Sequence, residues 1–302
     1  MGSYKNLSDL SQKSDGSKNR ISVIHFIWLL IIRIRHDSIS AYAYHLTYSL
    51  LLSFFPFIIF LMTLVGYANL DSSTILAPLE TYFPKEVYKL VSDIVIDVVD
   101  QQRDGLMSFS ILVAIYAASG GFRAFMEGTN RAMRIPEKRN IIIRYIISIF
   151  SVILFAIAIV IALLGIVFGQ QIINLLDRHP SFLALKELLQ MFRFIIPEVI
   201  IFLLFLVFYM FVPAKNICFR CAIPGAVFTT FTWTVFTLLF QHYVNTYSNY
   251  SKFYGTLGAV IALMLWLLLT SMIMLFGVEI NALMMELGII KARKKKGADK
   301  DD

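Results

Sequence analysis

Residues 141–169, IIIRYIISIFSVILFAIAIVIALLGIVFG, decide the fold class. Arg144, near the start, is the one charged residue in this run. An α-helix needs about 20 apolar residues to cross about 30 Å of hydrocarbon. Inside a bilayer it also satisfies all of its own backbone hydrogen bonds. The run therefore reads as a transmembrane helix. Five further stretches read the same way, at about 41–69, 106–125, 194–212, 218–240 and 256–285. The longer ones have room to tilt or kink. Pro56, inside the first, removes a backbone donor and predicts a kink there.

Composition agrees. Of 302 residues, 58% are hydrophobic and 16% charged, against about half and a quarter in soluble domains. The excess lies in these blocks. The expected fold class is all-α: a polytopic membrane bundle of six transmembrane helices spanning 21–288. Residues 1–20 are polar and read as a disordered cytoplasmic head, and 289–302 as a basic cytoplasmic tail. Residues 21–34 are apolar but too short to span. With Arg33 and Arg35 close behind, they predict an N-terminal interfacial helix on the cytoplasmic surface.

Lys and Arg set the orientation. Of the 27, about 20 fall on the side of the two termini and the second and fourth loops, and about 7 on the other. The positive-inside rule makes the first side cytoplasmic, with both termini there. The net charge of +7 then implies an anionic cytoplasmic leaflet as partner rather than nucleic acid. The long outer loop, 70–105, contains an amphipathic pattern. Val87, Leu90, Val91, Ile94, Val95 and Val98 share one face, and Glu86, Asp93, Asp97, Asp100 and Asp104 another. It reads as a helix on the outer membrane face with a solvated acidic side, or else as a cation-gathering surface.

Charges inside hydrocarbon cost about 2.5–3.5 kcal/mol each on the insertion scale and call for partners. Arg123 lies inside the second span, with Glu127 four residues on. Glu279 lies about 12 residues before Lys291, or roughly 18 Å up the last span. The matched depth predicts an Arg123–Glu279 pair between these spans, with snorkelling of Arg123 as the plain alternative. Asn130 and Asn281 add polar groups at similar depth, and His45 in the first span is either a proton carrier or a structural hydrogen-bonder. Arg123, Glu127, Asn130, Glu279, Asn281 and His45 are the candidate substrate passage. Glu198 is expected to pair with Arg193 or to stand at an outer mouth. Pro56, Gly120, Gly121, Pro224, Gly225, Gly255 and Gly258 are the candidate kinks, hinges or close-packing points. Cys218 and Cys221, spaced C-x-x-C, are either a redox or zinc motif or two small residues at a helix entrance. The plain reading expects no disulfide.

In order along the chain, several motifs resemble the YihY/BrkB family of bacterial inner-membrane proteins, once labelled ribonuclease BN. They are AYAYHLTYSLLLSFFPFIIF at 41–60, NRAMRIPEKR at 130–139, Pro213, AIPGA at 222–226 and Trp233. YGTLG at 254–258, Trp266 and FGVEIN at 276–281 complete the set. The resemblance covers about 32–288. It implies a six-helix inner-membrane protein and no established activity, the ribonuclease label being regarded as a misassignment. The residues point the same way. RNA hydrolysis needs clustered carboxylates with metals, or histidine acid–base pairs, and the short basic loops offer neither. No metal, cofactor or enzymatic activity is expected.

The function expected is a transporter or translocase of a lipid or other amphiphilic or small solute, with a non-transporting scaffold as the alternative. A transporter predicts a polar cavity between helices, a scaffold a closed bundle, and an enzyme a reactive cluster at one face. Substrate identity, energy coupling and oligomeric state are not legible in the sequence.

Overall fold

The computed structural model describes residues 23–66, 76, 88–89, 91–93, 95–96, 107–176, 183–247 and 256–290. Its principal helices are α1 (Val23–His36), α2 (Ile39–Gly66), α3 (Met107–Ala132), α4 (Ile141–Leu176), α5 (Leu183–Phe211), α6 (Phe219–Tyr247) and α7 (Thr256–Glu286). The described residues hold no strand. The head at 1–20, nearly all of the tail at 289–302, and Gly255 lie outside them.

Among the described residues, four helices are long and apolar enough to cross a membrane: α2 over Ile39–Leu61, α4 over Ile141–Ala162, α6 over Phe219–Val244 and α7 over Val260–Glu286. Helix α5 carries a shorter apolar stretch, Ile195–Phe211. Helix α3 is not among these four; Arg123, Glu127 and Arg131 lie in its C-terminal half. The expectation of six spans thus holds at the coarser level of an all-helical membrane bundle.

Helix α2 packs most extensively on α3, and α6 on α7. On α3 a Cβ at Gly121 would stand 2.7 Å from the Leu50 side chain, so glycine sets that approach. At Gly120 a Cβ would meet only ordinary contacts. Ser53 of α2 donates to its own Ser49 carbonyl and to Ala117 of α3 at 3.0 Å, a hydroxyl bridging two helices. Helix α2 runs unbroken through Pro56, and α6 through Pro224.

The core falls into two buried clusters. One joins Ile58, Phe60 and Leu61 to Val91, Val95 and Leu263. The other joins Leu46, Phe125, Met126, Tyr209 and Leu275. Val91 and Val95 are buried while Asp93 is exposed, so the apolar face read within 86–104 packs onto the bundle where it is described. Its remaining positions, including Glu86, Asp97, Asp100 and Asp104, lie outside the described residues.

Three helix ends close on a left-handed residue. At the end of α7, Gly288 (φ 66°) does so, with Ile289 N–H bonded to Met284 O. The end of α3 has the same hydrogen-bond pattern, Ile135 N–H to Asn130 O and Arg134 N–H to Arg131 O, but its left-handed residue is Arg134 (φ 54°). The turn between α1 and α2 places Ser38 at φ 54°. A non-glycine residue there costs about 1–2 kcal/mol. The side chain of Arg134 shows what offsets that cost.

Candidate functional site

The α1–α2 corner, the end of α3 and the end of α7 meet around two buried side chains, Arg33 and Asp37. Arg33 donates from Nε to Glu279 Oε2 at 2.5 Å, from Nη1 to Glu286, and from Nη2 to Ala132 O at 2.9 Å. Its rigid fork of donors suits three acceptors on two elements. Ala132 O is a carbonyl at the end of α3, where helical partners run out and partial negative charge collects. Glu279 and Glu286 are seven residues apart on α7 and so share a face. Asp37 accepts from Arg134 Nε at 3.1 Å and contacts His36 Nδ1 at 3.1 Å. Arg134 also approaches Glu286 at 3.7 Å. Placing the guanidinium against Asp37 is the return for the left-handed backbone at Arg134.

The expected Arg123–Glu279 pair is therefore corrected. Glu279 is fully buried and is held by Arg33 of α1. Arg123 donates to Ser119 Oγ at 2.5 Å, and its guanidinium stacks 4.4 Å from the Tyr145 ring and 5.6 Å from the Tyr116 ring. Equal depth fixes height along the bundle normal but not the direction a helix face points. Helix α1 exposes Val23, Ile24, Ile27, Trp28 and Ile31. Arg33, read as a flanking surface charge, instead turns inward.

The other candidate residues have local partners. Glu127 pairs with Arg144 at 2.8 Å and lies 3.6 Å from His45, both across helices rather than with Arg123. Asn130 donates to Glu137 at 2.8 Å and accepts from the Ala214 N–H at 2.7 Å. Asn281 accepts from the Gly225 N–H at 2.6 Å and donates to Ala222 O, binding α7 to the start of α6. Glu198 accepts from Thr234 at 2.9 Å; the Arg193 side chain lies outside the described residues. Gly225 and Gly277 bring α6 and α7 into backbone contact. A Cβ on Gly225 would strike Gly277 O, and one on Gly277 would strike the Thr229 and Tyr209 hydroxyls. Those hydroxyls bond each other at 2.7 Å, and Tyr209 donates to Met274 O at 2.8 Å.

The loop after α3 is clamped by Glu137. It accepts from Arg139 Nε at 2.9 Å and Nη2 at 2.7 Å, and Arg139 in turn donates to Val212 O. The Arg139 hydrogen bonds hold the Glu137 carboxyl down at about 2, from an ordinary 4.5. A depressed folded-state value means stabilisation fully present above the ordinary value and lost as pH falls towards 2. Glu137→Gln is expected to remove that part of the acid sensitivity. Thermal unfolding followed from pH 5 down to pH 2 should show a shallower fall for the variant; parallel curves would count against the clamp.

Between the helices lies a cavity of about 360 Å³, to which each of α2–α7 contributes. Its walls are almost wholly aliphatic and aromatic, with Phe57, Phe155, Phe208, Trp233 and Trp266 the largest. The Trp233 indole is turned to Thr270 at 3.3 Å. None of the six candidate passage residues lines it; Gly121 does. A cavity was expected of a transporter, but a polar one, and this one suits hydrocarbon. Sequence reading missed it because a void depends on how six helices are spaced. Among the described residues, no three His, Cys, Asp or Glu side chains converge as a metal site would need.

Apolar spanning helices, buried charges held by partners of opposite sign, and glycine-mediated helix crossings define a polytopic helical membrane protein. The chain belongs to the BrkB family: residues 30–302 match the family described as Virulence factor BrkB. It is 36% identical over 243 residues to a putative ribonuclease-like protein, YfkH, of Bacillus subtilis (strain 168), covering 79% of this chain and 87% of that protein. It is 27% identical over 262 residues to a UPF0761 membrane protein of Alteromonas mediterranea, covering 83% and 84%. A UPF0761 membrane protein of Actinobacillus pleuropneumoniae is 25% identical over 262 residues, covering 83% and 90%. No solved structure matches the chain. The motif resemblance read from the sequence holds.

Proposed function

We propose that this protein is a translocase for a lipid or similar amphiphile, acting in the bacterial inner membrane with six spans and both termini in the cytoplasm. The observation that carries the reading is the apolar cavity of about 360 Å³ walled by α2–α7. Its lining offers water almost no polar partner, so water is a poor occupant. An acyl chain is the occupant a bilayer supplies. A smaller apolar cavity of about 150 Å³ already stays dry and takes up benzene.

A headgroup following its chain meets the charged end of the bundle. Met274 lines the cavity and Glu279 stands five residues further along α7, about 7.5 Å away along the axis. Glu279, Asn281 and Asn130 are the polar groups assigned to that end, with Arg33 as the latch. Arg123, Glu127 and His45 are assigned to a side route along α2–α4, where His45 and Glu127 are about half exposed. A scaffold that moves nothing is the competing reading.

The test is scrambling of a headgroup-labelled phospholipid in proteoliposomes, read by dithionite quenching of the outer leaflet. The intact protein is expected to let quenching pass the half-point fixed by the outer leaflet. Ala158→Phe, which fills the cavity from α4, should slow this at least about fivefold while the protein stays monodisperse. Quenching that stops at the half-point, as in protein-free vesicles, would leave the scaffold reading. Orientation is checked separately in right-side-out vesicles. A single cysteine at Ser72 should react with an impermeant maleimide and one at Glu137 should not; the reverse pattern would invert the topology.

A further inference from the structure

The C-x-x-C pair is joined in the structure: Cys218 Sγ is bonded to Cys221 Sγ, contrary to the expectation of two unlinked small residues. The two sulfurs have different surroundings. Cys221 is fully buried, while Cys218 is half-buried at the mouth of α6. Cys218 caps that helix. Its carbonyl accepts the Cys221 N–H at 2.9 Å and the Ala222 N–H at 3.2 Å, and its Sγ also accepts the Cys221 N–H, at 3.2 Å. An amide aimed at the sulfur, at the positive end of a helix, stabilises negative charge on it. Lys215 and Arg220 flank the pair in sequence.

The bond does little for the architecture. It closes a loop of one helical turn, too short to remove much chain entropy. The segment is held independently by Ala214 N–H on Asn130, Ile217 N–H on Met210 O and Gly225 N–H on Asn281. Opening the disulfide leaves those three contacts in place. A bond that is structurally dispensable, half open to solvent and supplied with a charge-stabilising amide has the features of an exchange site.

We propose that Cys218–Cys221 is a reversible thiol–disulfide exchange site for a low-molecular-weight thiol and its disulfide. Cys218 is the sulfur that enters the mixed disulfide, and Cys221 is the buried resolving sulfur. In the reducing direction a thiolate RS⁻ attacks Cys218 Sγ, the Cys218–Cys221 bond breaks, and Cys221 leaves as a thiolate and takes up a proton. A second RS⁻ then attacks the RS sulfur of the mixed disulfide. RSSR departs and Cys218 is released as a thiolate under the Cys221 N–H. Two RSH are oxidised to RSSR and two electrons pass to the cysteine pair; of the two protons, one goes to Cys221 and the other to solvent, from which Cys218 regains it when it protonates. Oxidation runs the same steps backwards, with RSSR as the oxidant. This site is independent of the cavity and of any transport.

The experiment uses the full chain in detergent micelles, equilibrated across ratios of reduced to oxidised glutathione, then acid-quenched, alkylated and weighed. The pair is expected to pass from doubly alkylated to unalkylated within the series. Cys221→Ser, given oxidised glutathione, should accumulate one glutathionyl group mapped to residue 218. Cys218→Ser should react at least about tenfold more slowly, because its remaining thiol is buried. Double alkylation at every ratio, or none at any ratio, would overturn the proposal without reference to a variant. Equal reaction rates for the two serine variants would overturn the assignment of roles.

Discussion

Arg33→Met is expected to lower the stability of the detergent-solubilised protein by about 3–5 kcal/mol, the cost of stranding the partners of a buried charge. The guanidinium holds Glu279, Glu286 and the Ala132 carbonyl together, and Glu279 is fully buried. Without it, one carboxylate sits in an apolar interior and a helix end loses its cation. Arg33→Lys keeps the charge but not the fork, so it should fall between the two. The informative variant is Arg33→Met with Glu279→Gln. It removes the stranded charge with its partner and should recover a large part of what Arg33→Met loses. A double variant no more stable than Arg33→Met would mean that Glu279 is not the group that depends on Arg33. Arg123→Met should cost only about 0.5–2 kcal/mol, the range for a cation stacked on aromatic rings. Thermal midpoints for the four variants and the unmodified protein, taken in one detergent, decide the matter.

The crossing of α6 and α7 is the other sensitive point. Gly277→Ala puts a methyl group where the Thr229 and Tyr209 hydroxyls lie. Those two are bonded to each other, and Tyr209 is fully buried and tied to Met274 O. Overpacking costs about 1–3 kcal/mol, and each buried hydrogen bond broken adds about 1 kcal/mol. A loss of about 3–5 kcal/mol is expected. Thr229→Ala removes the nearer obstacle, so Gly277→Ala combined with Thr229→Ala should be more stable than Gly277→Ala alone. If the two losses simply add, the helices do not approach at this glycine, because residues in contact couple and distant ones do not.

Much of this bundle is legible in its sequence, for a physical reason. A bilayer demands long apolar helices, and length and composition announce them over 41–69, 141–169, 218–240 and 256–285. The stretch 106–125 reads the same way, and α3 continues past it to Ala132 through Glu127 and Arg131. The FGVEIN motif at 276–281 carries three of the contacts that matter, through Gly277, Glu279 and Asn281. Its importance is readable; its partners are not. Depth along a helix comes from counting residues, whereas which neighbour a side chain faces depends on helix rotation. That is why Glu279 was matched to Arg123 at the same height instead of to Arg33 of α1. A signal was present: Glu279 and Glu286, seven apart on one face, ask for a cation outside their own helix. The cavity left no such trace, since its walls are the same Phe, Leu and Ile that fill a solid core. The C-x-x-C spacing leaves redox, zinc and two plain small residues open; neither the disulfide nor the exposure of each sulfur can be read from it.

The bond from Arg33 to Glu279 joins positions 246 residues apart, so it ties α1 to a helix made much later. At about 5–20 residues per second, roughly 12–50 s of translation separate the two partners. For that interval the guanidinium lacks both α7 carboxylates and has Asp37, 3.9 Å away, and, once α3 is in place, the Ala132 carbonyl. The charge on α1 is neutralised when α7 has arrived and docked, and a chain that stops short of Glu279 never reaches that state. The same contact that holds the bundle together therefore marks the moment at which α7 has joined it.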